Sequence, residues 1–183
     1  AALLDPRPGS RVLDACAAPG GKTAHLLERA DLDLLALDLK PARCRRIEAT
    51  LERLGLAAQV RVADCARPDA WWDGNPFDAI LADVPCSASG VVRRHPDAKW
   101  LRRDADVAGF AAAQGRILEA LWRLLKPGGK LLYATCSVFP EENQGQLTAF
   151  LARHASARRG HEEQWLPSDD HDGFYYCLLD KLA

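Results

Sequence analysis

The feature that most constrains this chain is an alternation of two kinds of segment. Short apolar runs at Arg11–Cys16, Leu34–Asp38, Gln59–Asp64, Phe77–Asp83 and Lys130–Cys136 are separated by longer amphipathic stretches. In one such stretch, Pro41–Leu54, the residues Ile47, Leu51 and Leu54 fall at spacings of four and three, as on one face of a helix. A second helix is expected from about Val107 to Leu125, stopped by Lys126-Pro127-Gly128-Gly129. Strands alternating with helices predict an α/β, Rossmann-like fold, a mostly parallel central sheet with helices on both faces. The tail Gly173–Asp180 follows a polar segment and is read as one further strand, antiparallel to the rest.

The ends of the runs carry the chemistry. Three of them finish in Asp38, Asp64 and Asp83, and the first in Asp14-Ala15-Cys16. Ligands of open α/β sheets bind beyond the carboxyl ends of the strands. Cys16, Asp38, Asp64, Asp83, Cys86 and Cys136 are therefore expected to converge on one edge. A single aspartate there can be a turn former or a helix cap. Three in register argue for a ligand.

Composition excludes other classes. The 183 residues suit one domain, 1–183, and the 48% hydrophobic and 27% charged content is that of a globular protein. No apolar run approaches the ~20 residues that cross a bilayer, and no signal peptide is visible, so no membrane partner and a cytoplasmic location are expected. The chain has no methionine, so Ala1 is not expected to be a natural start and an upstream domain is expected to be missing. The six cysteines are dispersed and form no CxxC pair, which argues against both a disulfide framework and a metal site. A monomer is expected. With a net charge of −1, nucleic-acid binding has to come from a local patch.

Cys16-Ala17-Ala18-Pro19-Gly20-Gly21-Lys22 is a small, flexible loop leading into a helix from about Thr23. Backbone amides in such a loop approach a ligand closely, and the helix N-terminus adds positive potential. It is not a phosphate-binding P-loop, because Cys16 stands where that motif needs glycine. The dinucleotide fingerprint GxGxxG is absent too, although Asp38, at the end of the second run, suits a ribose diol. The loop fits an adenosine-containing cofactor without a phosphate chain, or a tight turn with no ligand.

Three motifs, Asp14–Lys22, Asp83-Val84-Pro85-Cys86-Ser87-Ala88-Ser89-Gly90 and Thr135-Cys136-Ser137 followed by Pro140-Glu141-Glu142-Asn143, resemble those of the RNA cytosine-5 methyltransferases. The stretch Gly90–Arg103 and the ending Asp172–Tyr176 are especially like the bacterial branch acting on 16S ribosomal RNA. The resemblance covers nearly the whole chain and implies the catalytic domain alone, in the fold of S-adenosylmethionine (SAM)-dependent methyltransferases. It places SAM against Cys16–Lys22, Asp38 on the ribose hydroxyls, Asp64 near the adenine and Asp83 at the boundary with the substrate. Val84 stands where alanine is common, a mild departure.

Cytosine C5 is too weak a nucleophile to take a methyl group unaided. A thiolate adding to C6 turns C5 into a carbanion equivalent, and loss of the C5 proton with expulsion of the thiol restores the ring. A free cysteine is only about 3% thiolate at neutral pH, so local positive potential helps. The resemblance makes Cys136 the nucleophile and gives Cys86 the release of product, whereas a DNA enzyme would attack with Cys86. Asp83 is the candidate partner of cytosine N3. Cys44, Cys65 and Cys177 are read as packing residues. The partner is RNA, with 16S ribosomal RNA expected. The loop Arg93–Arg103, with Arg93, Arg94, Lys99, Arg102 and Arg103, is a candidate for phosphate contacts, Arg93, Arg94 and Lys99 foremost, and His95 or Trp100 for stacking on an exposed base. Alternatives are a transfer-RNA or other RNA cytosine methyltransferase, and an idle RNA-binding module.

Overall fold

The computed structural model describes residues 1–183, apart from the side chain of Asp104. The strands are β1 (Arg11–Asp14), β2 (Asp33–Asp38), β3 (Gln59–Val62), β4 (Phe77–Asp83), β5 (Leu125–Thr135), β6 (Ala157–Trp165) and β7 (Phe174–Lys181). The helices are α1 (Gly21–Arg29), α2 (Pro41–Leu54), α3 (Asp97–Leu101), α4 (Asp104–Leu124) and α5 (Gln144–Leu151). The strands form one seven-stranded sheet in the order β3-β2-β1-β4-β5-β7-β6. The first five are parallel, and β7 runs antiparallel to both β5 and β6.

Side chains on a strand alternate between the two faces, and here both faces are buried. Leu13, Leu35, Leu37, Ile80, Leu131 and Tyr133 point to the side covered by Leu118, Leu121 and Trp122 of α4 and Phe150 of α5. Val12, Leu34, Ala36, Leu81 and Leu132 point the other way, onto Ala24 and Leu26 of α1 and Ile47 and Leu51 of α2. This is why the central runs are apolar at successive positions. The fold is the expected Rossmann-like one, and the helix expected over Pro41–Leu54 is found with those bounds.

Two local features depart from the expected pattern. Strand β5 begins at Leu125, not Lys130, because Leu125 already pairs with Phe77 before Lys130 pairs with Ala79. The intervening Lys126–Gly129 is looped out opposite Asp78, between Phe77 and Ala79 of β4, with Lys126 Nζ 2.6 Å from Asp78 Oδ1. Strand β6 was not expected at all. Its sequence Ala-Arg-Arg-Gly-His-Glu-Glu-Gln-Trp is polar, because β6 is the sheet's outer edge and much of it is solvent-exposed. Charge on an edge strand discourages pairing with another chain.

The chain runs outward from β1 to β2 and β3, then returns to lay β4 on the other side of β1. That reversal opens a crevice at the carboxyl ends of β1 and β4.

Candidate active site

The residues after the strands meet in that crevice. A cavity of about 420 Å³ is lined by Cys16, Ala18, Asp38, Asp64, Cys65, Asp83, Cys86, Ile117 and Cys136, among others. Beside it, a smaller one of about 240 Å³ is lined by Asp14, Cys16–Pro19, Gly21, Lys22 and Asp83. The convergence expected from the strand ends is therefore present for Cys16, Asp38, Asp64, Asp83, Cys86 and Cys136.

Within the first loop the glycines differ in task. Gly21 lines the smaller cavity. Gly20 sits behind it with φ 102°, a left-handed conformation suited to glycine, and a Cβ there would come within 3.1 Å of Ile47 Cα. It lets α1 start while packed on α2. Cys16 lies with its Sγ 3.8 Å from that of Cys65, and the hydrogen bond to Cys65 together with burial pushes the Cys16 thiol well up. Cys65, read from sequence as packing, is buried but also part of the cavity wall.

The acids have distinct environments. Asp14 is fully buried and accepts a hydrogen bond from Thr23 Oγ1 at 2.7 Å through Oδ2, while its Oδ1 has no partner among the described residues. Burial raises its pKa to about 7, with the Thr23 hydrogen bond opposing and the nearby Asp83 charge adding to the rise. Asp38, also buried, accepts the Lys40 backbone N–H and meets Arg43 Nε at 3.2 Å. Asp64 Oδ1 accepts the Ala66 N–H. Asp83 is ion-paired with Lys22, Nζ to Oδ2 at 2.8 Å. Burial pulls the Lys22 ammonium down, but the charge and hydrogen bond of Asp83 outweigh it and leave Lys22 above its usual value.

The two thiols behind β4 and β5 are neighbours, with Cys86 Sγ 3.4 Å from Cys136 Sγ. A hydrogen bond from Cys86 holds Cys136 below the ordinary thiol value, and Lys22 adds a smaller pull. Cys86 is driven far up, first by its bond to Cys136 and then by burial. One proton leaves the pair easily and the second does not.

Strand register explains the proximity. Asp83 pairs with Ala134, so the loops after β4 and β5 leave the sheet side by side. Beneath them lies a buried polar cluster for which the sequence offered only the Pro140–Asn143 motif, without roles. Glu142, Gln114, Ser87, Ser137 and Asn143 are all buried. The turn after Cys86 is closed by glycine, since a Cβ on Gly90 would run into the Gly173 carbonyl oxygen and come within 2.9 Å of that of Cys136.

The basic segment is divided. Arg93 and Arg94 approach buried Asp172 at 3.6 and 2.6 Å, and Arg93 also donates to the Asp169 carbonyl. They clasp the Asp169–Asp172 turn while remaining half exposed. His95, Lys99 and Trp100 are exposed, Trp100 at 81%, with Lys99 Nζ 5.6 Å from the Trp100 ring centroid. Trp100 is thus not a core residue. Arg102 turns inward and donates to the Ser87 carbonyl at 2.9 Å.

An α/β sheet of this order, with an acid-rimmed cavity and paired thiols at its carboxyl edge, defines a class of methyltransferase-like domains, and comparison with known proteins narrows it. The family model described as 16S rRNA methyltransferase RsmB/F matches residues 1–180, and the chain belongs to that family. It is similar to Ribosomal RNA small subunit methyltransferase B of Yersinia enterocolitica, 52% identical over 98% of this chain and 44% of the relative. The protein of that name from Vibrio vulnificus is 50% identical over the same shares. The chain thus spans under half the length of these curated relatives. Among solved structures, NSun6 from Pyrococcus horikoshii with SFG superposes with a TM-score of 0.89 at 26% identity, covering 100% of this chain and 50% of that one.

Proposed function

We propose that this chain is the catalytic domain of an enzyme that methylates C5 of a cytosine in 16S ribosomal RNA, with S-adenosylmethionine as cofactor and Cys136 as nucleophile. The observation that carries the reading is the 3.4 Å pair of unlike thiols on the wall of the acid-rimmed cavity. Family membership and the names of the relatives support the reaction and the RNA.

The residues present fit the cofactor. Asp38, buried at the end of β2, suits hydroxyls of a ribose, and the partnerless Oδ1 of Asp14 suits an ammonium or another donor. Gly21 and Lys22 present the N-terminus of α1 to the smaller cavity. Asp64 lies on the adenine side and Asp83 on the side of the substrate. When bound, SAM supplies an electrophilic methyl group.

The chain's own groups handle the base. The Cys136 thiolate forms a bond to C6 while N3 takes a proton from water. Asp83 accepts the new N3–H as a hydrogen bond and spreads the charge, and that proton returns to water when the thiolate leaves. C5 becomes nucleophilic and gains the methyl group. Its proton then leaves, the C5–C6 double bond re-forms, and the Cys136–C6 bond breaks to return the thiolate. Cys86 acts at this last stage. In the free enzyme the Cys136 partner keeps Cys86 protonated. Once Cys136 is spent in the C–S bond its charge is gone and burial alone holds the Cys86 thiol up. Cys86 then ionises more readily, gives its proton to water and as the thiolate takes the C5 proton. A target cytosine has to leave its stack to reach the thiols, which favours an unpaired or loop site.

The test uses small-subunit ribosomal RNA and SAM with a labelled methyl group. Cys136→Ala is expected to abolish transfer yet keep SAM binding. Cys86→Ala is expected to accumulate a protein–RNA adduct that survives denaturation, and the double variant to form none. An adduct trapped by Cys136→Ala and missing from Cys86→Ala would exchange the roles and sink the assignment.

A further inference from the structure

Each thiol is followed by a serine, Cys86-Ser87 and Cys136-Ser137, and both serines end on one carboxylate. Glu142 Oε1 accepts the Ser87 backbone N–H at 2.8 Å, and its Oε2 accepts the Ser137 hydroxyl at 2.5 Å. Gln114 of α4 donates from Nε2 both to Glu142 Oε1 and to the Pro85 carbonyl, each at 3.0 Å. Cys86 is therefore held at both shoulders, Pro85 and Ser87. Cys136 is held in the same way by the neighbour of Glu142. Asn143 accepts from Thr135 Oγ1 at 2.6 Å and donates to the Ser137 carbonyl at 2.9 Å. Tyr133 of β5 fixes the clasp itself by donating to the Glu142 carbonyl at 2.7 Å.

Glu142 is fully buried and does not line the cavity beside the thiols. Among the described residues it has no cationic partner within salt-bridge distance, so N–H, amide and hydroxyl donors alone satisfy it. Burying a carboxylate is costly, and apolar packing would fill the same space more cheaply. What the carboxylate provides is two acceptor atoms in fixed geometry, one for each thiol loop.

We propose that Glu142, backed by Gln114, is a positioning residue that holds the loops of Cys86 and Cys136 at the spacing the two-thiol reaction needs. The proposal rests on the reading of Cys136 as nucleophile and Cys86 as the group acting at elimination. The Cys136 thiol is also flanked by two bonds of Asn143, whereas beside Cys86 only the Arg102 bond to the Ser87 carbonyl and the more distant Gly90 tie remain once Glu142 and Gln114 are lost. Loss of the clasp therefore displaces Cys86 more than Cys136, and elimination slows more than attack.

Three variants test this with methyl transfer, SAM binding and denaturation-resistant RNA adduct measured in parallel. Glu142→Gln keeps an acceptor for Ser87 and Gln114, and Ser137 can turn its hydroxyl toward Ser87 or Ser89, 3.2 and 3.1 Å away. It is expected to turn over within about fivefold of the parent, the scale of one altered hydrogen bond. Glu142→Ala is expected to lose about a hundredfold, the scale of a small misplacement of reacting groups. Its SAM affinity should hold, and the fraction of enzyme trapped on RNA during turnover should rise above the parent's. Gln114→Ala, which leaves the carboxylate and both serines in place, should show the same rise in adduct in milder form, and it decides the matter if Glu142→Ala does not fold.

Parent-like turnover in Glu142→Ala overturns the proposal, as does joint loss of turnover and SAM binding in all three variants. A fall in adduct alongside slow turnover overturns it too, because attack would then be the step harmed. Cys136→Ala in the same assay separates the two claims: if it still forms adduct, the nucleophile is misassigned, whatever the clasp does.

Discussion

Asp14 is a carboxyl whose ionisation this fold opposes. Its carboxyl is fully buried with one oxygen unpartnered, and its pKa lies at about 7 against about 3.9 in an unfolded chain. The folded state thus holds the proton more tightly than the unfolded state. Stability from this group is fully present below about pH 4 and is lost as pH rises toward 7, at roughly 1.4 kcal/mol per unit of separation. Asp14→Asn keeps an acceptor for Thr23 and carries no charge. Urea midpoints of the unliganded protein between pH 4.5 and 8 should fall for the parent and stay flatter for the variant. Parallel curves would assign the pH dependence to other groups. At this scale the sequence was informative where sheet chemistry dictates the residue: acids and thiols at strand ends have one edge to go to. It marked Glu142 within the Pro140–Asn143 motif but gave it no role, because that role exists only where two loops and α4 meet over it.

The Cys86 loop is pinned from above as well as below. Gly90 donates to the Cys136 carbonyl at 2.9 Å and accepts from the Gly173 N–H at 2.7 Å, so the turn is tied to both β5 and the start of β7. The antiparallel strand β7 thereby stabilises a site built on parallel strands. Gly90→Ala would put a methyl group into the Gly173 backbone, an overpacking that costs on the order of 1–3 kcal/mol. A lowered melting temperature with slowed methyl transfer and unchanged SAM affinity is expected. A variant as stable and active as the parent would show that the turn yields freely. Legibility at this scale followed burial. The strands with helices on both sides announced themselves by apolar runs, and β7 by the apolar stretch Phe174–Leu179 that follows a polar segment. Strand β6 left no such mark, because an edge strand facing water has no apolar pattern to show.

The whole domain brings little charge to an RNA, with a net charge of −1, and Arg93 and Arg94 already share Asp172. The expectation that both arginines serve phosphates is therefore less direct than it was from sequence, while Lys99 and Trp100 stand free in solvent on the short helix α3. Charge and stacking leave different signatures in a salt titration. A lysine that neutralises one phosphate of a single strand contributes about 0.7 to the slope of log affinity against log salt. A base stacked on an aromatic ring contributes about 1–3 kcal/mol without that slope. Binding of an unpaired RNA by this domain should be weak. Lys99→Ala should flatten the slope by about that one increment, the scale of one released counterion. Trp100→Ala should lower affinity at every salt concentration and leave the slope alone. If Trp100→Ala changes neither affinity nor slope, α3 faces away from the RNA, and the target strand has to reach Cys136 across another part of the cavity rim.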